Sequence, residues 1–230
     1  MFNSFSFEKI NNFENKGSIL EFEYFGEINK RAYSQAVDEY LNPELYKIKS
    51  QEDVERVFLR KNKEKEDYAN SFKNDSYIKF KDAMAIVEKC QFGNPEMPNA
   101  IFARVLRKEI SNLLGDEYKV KFFTAVGSHL DTKHGVDAFI KVYDKNEKEL
   151  AQVTLDISGR EKGASKADLL IVVSREERDC YDFDSDNFDK EKFNNRIKNE
   201  ALRIKEIITK NRKTSGEYPK SSYGQKQVVK

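Results

Sequence analysis

Two aspartates stand in segments that otherwise read as β-strands. Asp137 lies within Gly135 to Tyr143 (GVDAFIKVY), and Asp156 lies within Leu150 to Ser158 (LAQVTLDIS). Each is flanked by apolar residues, Val136 and Ala138 in the first run and Leu155 and Ile157 in the second. Asp is a poor strand former, so two of them in adjoining strands need a reason. Side chains alternate along a strand, which puts Asp137 on the face of Phe139 and Asp156 on the face of Thr154 and Gln152. The turn-forming run Asp144 to Lys148 (DKNEK) would join the two as a hairpin and let their carboxylates converge. Two carboxylates at close range repel, and a divalent cation removes the repulsion. Hard oxygen ligands with an incomplete protein shell suit Mg²⁺ or Mn²⁺, leaving room for water and a substrate phosphate. A single strand-end Asp reads equally well as a turn cap or the partner of a surface Lys; only the pair points to an ion.

Several elements must place that pair. Pro98 and Asn99 open an expected helix over 99–114, whose Phe102, Leu106, Ile110 and Leu113 keep the 3.6-residue period, and Gly115 terminates it. Strands are predicted over 118–126, 135–143 and 150–158. A short loop, 159–166, leads to a fourth over 168–174 (DLLIVVS), apolar enough to be buried on both faces. Upstream, Ser18 to Phe25 (SILEFEYF) alternates apolar and polar residues and suggests another strand, while 29–48 and 51–72 suggest helices and 77–90 a helix or strand–helix junction. Downstream come an acidic linker at 179–189 and a long helix over about 189–211. The tail from 213 is expected to be disordered.

This order, helix, three strands, connection, strand, with acids on the second and third strands, resembles the PD-(D/E)xK nuclease superfamily. The resemblance covers about a third of the chain. It implies a restriction-endonuclease-like core at 93–178 in a mixed α+β sheet. A mostly helical addition would occupy 1–92, the linker and C-terminal helix 179–212, and a basic tail 213–230. Asp137 (HGVDAF) would be the first acid and Asp156 (TLDIS) the second, separated by nineteen positions. Glu109 (VLRKEIS) would be the helix acid and third metal ligand. The family's lysine should stand two residues after the second acid, where this chain has Ser158. Lys162 and Lys166, in SGREKGASKAD, are the replacements the resemblance offers, with Arg160 behind them. His134, three residues before Asp137, is either an auxiliary acid/base or phosphate ligand, or a loop residue bonded to its neighbours. A zinc site on His129, Asp131 and His134 lacks an evident fourth ligand.

Composition bounds the rest. The 230 residues include 17 Phe and 11 Tyr, ample core material, and 41 Lys+Arg against 40 Asp+Glu leave a net charge of +1. No global basic field exists, so nucleic-acid binding would rest on local patches such as the C-terminal stretch from Lys205, where Lys/Arg outnumber Glu seven to two. Cys90 and Cys180 form no CxxC and read as reduced thiols. No signal peptide or membrane span is evident, which leads to the expectation of a soluble cytoplasmic protein. Three functions follow. The first is a Mg²⁺-dependent nuclease acting on DNA more readily than RNA. The second is a nuclease-like protein that binds nucleic acid or assembles without cutting. The third is a structural protein of phage or mobile-element origin, in each case with homo-oligomers possible.

Overall fold

The computed structural model describes residues 17–46, 77–181 and 186–214. Among these, the helices are α1 (Gly17–Phe25), α2 (Lys30–Leu41), α3 (Pro43–Tyr46), α4 (Phe80–Lys89), α5 (Ile101–Leu114), α6 (His129–Thr132), α7 (Arg175–Tyr181) and α8 (Lys190–Thr214). The strands are β1 (Lys119–Thr124), β2 (Ala138–Tyr143), β3 (Glu149–Ser158) and β4 (Leu169–Val172). The expected helix over 51–72 and the tail from 215 lie outside the described residues.

The strands form one mixed sheet in the order β1-β2-β3-β4. β1 with β2 and β2 with β3 are antiparallel, and β3 with β4 is parallel. A parallel return normally needs a long crossover. Here β4 pairs only with Leu155–Ser158, so the return need retrace only about 13 Å of strand. A helix-free loop suffices. It is clasped at its end: Asp168 Oδ2 accepts from the Thr154 amide and hydroxyl, both at 2.8 Å.

Alternation along the strands makes two apolar layers. Val120, Phe122, Ile140, Val153, Leu155 and Ile171 face one core with α1, α5 and α8. Phe123 and Phe139 stack on the opposite face, with ring centroids 4.9 Å apart, in a second core completed by Ile78, Met84, Val87 and Leu130. The chain is therefore an α+β structure with helices on both faces of a mixed sheet. Its outer strands are covered. On the β1 side the Phe122 amide donates to Pro95 O at 2.9 Å and the Thr124 amide donates to Gln91 Oε1 at 3.0 Å. On the β4 side Arg196 and Arg203 donate to Val172 O and Leu170 O at 2.6 and 3.3 Å. These bonds occupy the groups through which a bare edge would pair with another chain.

The segment 18–25, expected as a strand, is helix α1. Leu20 and Tyr24, four residues apart, are buried in the first core, and Phe25 packs at 5.5 Å between centroids on Phe122. Gly26 ends the helix with φ +74°, donating to Phe22 O at 2.9 Å; a left-handed residue just past a helix is where Gly is favoured. α1 is thus part of the same core as the sheet, although it falls in the segment read as an N-terminal addition. α7 likewise runs into the first residues of the expected acidic linker. No helix among the described residues is long and apolar enough to cross a membrane.

Phe25 ties α1 to the sheet, so Phe25→Ala is expected to lower unfolding free energy by about 3–5 kcal/mol. Urea denaturation followed by circular dichroism measures this.

Candidate metal centre

Asp137 stands one residue before β2, yet its backbone belongs to the sheet. Its carbonyl accepts from the Ala125 amide at 2.8 Å and its amide donates to Leu155 O at 2.9 Å. The register that pairs Ala138 with Leu155, continued by one residue, sets Asp137 opposite Asp156. Both are nearly inaccessible, at 3% and 5% exposure.

Two further acids reach this end of the sheet. Glu21 comes from α1. Asp131 comes from α6, a single turn opened by Ser128, whose Oγ accepts from the Leu130 and Asp131 amides at 3.1 and 3.4 Å. Asp131 Oδ2 accepts from the Gly127 amide at 2.9 Å. Gly127 has φ +87°, a conformation open to Gly at little cost. Carboxylate oxygens of Glu21, Asp131 and Asp137 lie within 4.8 Å of one another. The donor set is three hard oxygens, one from each of three separate elements, which fits a Mg²⁺- or Mn²⁺-type ion and leaves coordination positions for other ligands.

Asp156 is held differently. Lys162 Nζ lies 2.8 Å from its Oδ1 and 3.0 Å from its Oδ2, and Ser165 Oγ donates to Oδ2 at 3.1 Å. The charges of Asp156 and Lys162 are still felt across the site. Burial pushes the Glu21 carboxyl up to about 7, aided by Asp131 and Asp156 and opposed by Lys162. Burial pushes Asp137 up to about 8; the Ile157 amide, donating to its Oδ2 at 2.8 Å, opposes this, and Glu21, Asp156 and Asp131 add to it. Burial also raises Asp131, against the Gly127 bond.

The other expected residues go elsewhere. Glu109 sits on α5, where Asn112 donates to its Oε2 at 3.4 Å, and it is not one of the three clustered carboxylates. The helical residue in the cluster is Glu21, from α1. Lys166 Nζ donates to Lys133 O at 3.3 Å rather than to Asp156. His134 is buried, with Nε2 2.9 Å from Ile78 O and its ring against Tyr77 and Phe80; these contacts match the reading of a loop histidine bonded to its neighbours. Ser158, at the family's lysine position, is buried, and its Oγ accepts from the Arg160 amide at 3.3 Å.

Sequence reasoning did not single out Glu21, and it named Asp131 only in the zinc reading with His129 and His134. The i,i+4 pair Leu20 and Tyr24, followed by Gly26, was the available sign that Glu21 is helical. Ser128 three residues before Asp131 was the available sign of a capped turn. Comparison with protein-family models, with curated proteins and with solved structures finds no match to this chain.

The raised carboxyls fix the sign of a pH effect. Unfolded, such groups titrate near about 4; folded, Glu21 and Asp137 keep protons to about 7 and about 8. Between those limits the folded state binds more protons, so metal-free stability falls as pH rises from about 4.5 to about 8. An ion bound to the ionised carboxylates would reverse the loss. Melting temperature is expected to rise more with millimolar Mn²⁺ at about pH 8 than at about pH 5.5. Glu21→Gln with Asp137→Asn is expected to weaken both dependences, leaving the contribution of Asp131.

Proposed function

We propose that this chain is a Mg²⁺- or Mn²⁺-dependent nuclease that hydrolyses phosphodiester bonds of DNA, built as a divergent member of the PD-(D/E)xK superfamily. The observation that carries this reading is the convergence of Glu21, Asp131 and Asp137 beside Asp156, whose carboxylate is bound by Lys162. A helix acid, an acid beginning the second strand, an acid on the third and a lysine ammonium are the parts the family resemblance calls for. The sheet order, with three antiparallel-linked strands followed by a parallel one, supports the same reading.

The roles follow from placement. Glu21, Asp131 and Asp137 would hold the ion, which supplies Lewis-acid polarisation of a phosphate and activation of water. Asp156 orients Lys162 through both of its oxygens. The ammonium of Lys162, carried on the 159–167 loop rather than at position 158, lends positive charge where a phosphate gains negative charge. Ser165 and the Asp168–Thr154 clasp steady that loop.

A second reading rests on one observation. Ser158 takes the family's lysine position, and Lys162 is engaged by Asp156; a site in which that amine never reaches phosphate would bind nucleic acid without cutting it. Incubation of the purified chain with labelled DNA and RNA in Mg²⁺ or Mn²⁺ separates the two. Cleavage is expected to fall on the order of 10²–10³-fold in Asp137→Asn, Glu21→Gln and Lys162→Ala, and to persist in Glu109→Gln. Salt-sensitive binding with no cleavage in any metal would favour the second reading.

A further inference from the structure

A cavity of about 460 Å³ opens between the end of α1, the loop 91–100 and β1. Its position is set by the same helix that supplies Glu21: the next residue, Phe22, lines it, and consecutive Cα atoms are only about 3.8 Å apart. Its floor includes Thr124, whose register partner Ala138 directly follows Asp137. Adjacent strands are about 4.8 Å apart. The cavity is therefore within reach of a nucleotide whose phosphate lies at the carboxylates.

Its chemistry selects a neutral aromatic guest. Phe25 and Phe122 form buried wall, while Phe22 and Phe92 are 52% and 66% exposed at the mouth. Among the described residues, no Lys, Arg or His lines the cavity. Its two carboxylates, Glu23 and Glu27, already pair with Arg178 and Lys30. A phosphate has nothing to bind there, but a base does. Two side-chain amides add polarity: Asn94 Oδ1 accepts from the Glu96 amide at 2.9 Å and Asn99 Nδ2 donates to Phe92 O at 3.0 Å. Those bonds hold two amides in the cavity lining, groups of the kind that can donate to and accept from a base edge.

We infer that this cavity takes one unstacked nucleobase of the strand whose phosphate is bound at the carboxylate centre, so that the substrate is single-stranded or locally unpaired. The inference rests on the nuclease reading and names its substrate class. Phe22 and Phe92 supply stacking faces, and a base held inside a duplex cannot reach them.

The test uses the full chain carrying Asp137→Asn, which slows turnover, and fluorescence anisotropy with a labelled 12-nucleotide strand and with its duplex. The strand should bind more tightly than the duplex. Phe92→Ala and Phe22→Ala should each weaken strand binding about tenfold, leaving duplex affinity and melting temperature unchanged. An abasic residue walked along the strand should cost a similar factor at one position, and that cost should vanish in Phe92→Ala. Strand binding unaffected by either substitution overturns the base site while leaving the nuclease reading standing. Loss of self-association in sedimentation on Phe92→Ala, with strand binding intact, would make the cavity a contact between copies and also overturn it. Absence of any nucleic-acid binding by a folded chain overturns both readings.

Discussion

Everything at this end of the sheet follows from burying negative charge without enough positive charge to match. Half-buried Glu21 and Asp131 meet buried Asp137 beside buried Asp156, and the Lys162 ammonium is bonded to Asp156. Desolvating an ionised carboxylate is costly, and like charges at short range add to the cost. The protein meets it partly with protons, which is why Asp137 and Glu21 titrate so high, and partly with amide donors from Ile157 and Gly127. A divalent cation would meet it more completely. Such a site is a standing imbalance that the apolar cores must hold in place.

The rest of the fold does that holding. Asp137 and Asp156 are fixed by strand pairing. Glu21 is fixed by α1, itself anchored through Phe25 on Phe122 and through Leu20 and Tyr24 in the core shared with α5 and α8. Asp131 is fixed by a capped turn leaning on Leu130 in the opposite core. The centre thus draws on elements from both faces of the sheet, and its geometry depends on both layers packing correctly. The covered outer strands leave the chain able to keep that arrangement without a partner strand.

The strands and α5 were legible because their periods are long and unambiguous. Between Asp168 and Ser174 the run LLIVV has no polar interruption, and Phe102, Leu106 and Ile110 recur every four residues. The pairing of Asp137 with Asp156 was legible for the same reason: two acids out of place in apolar strands carry information that surface acids do not. α1 was not legible as a helix. In SILEFEYF, eight residues with five apolar ones satisfy a period of two nearly as well as 3.6, and tertiary packing decided the matter. Reading that segment as a strand hid Glu21, whose carboxylate joins Asp131 and Asp137, whereas Glu109 on α5 is not in that cluster. The ammonium was half legible. Lys162 and Lys166 were indistinguishable in a loop; in the structure the first meets Asp156 and the second donates to Lys133 O.

The central claim is that an ion belongs between three particular carboxylates. Crystals grown with Mn²⁺ and measured at its absorption edge test it directly. The account predicts one anomalous peak within about 2.3 Å of oxygens from Glu21, Asp131 and Asp137. Full Mn²⁺ saturation in solution with no peak at that position, or a peak bound by other residues, would contradict it.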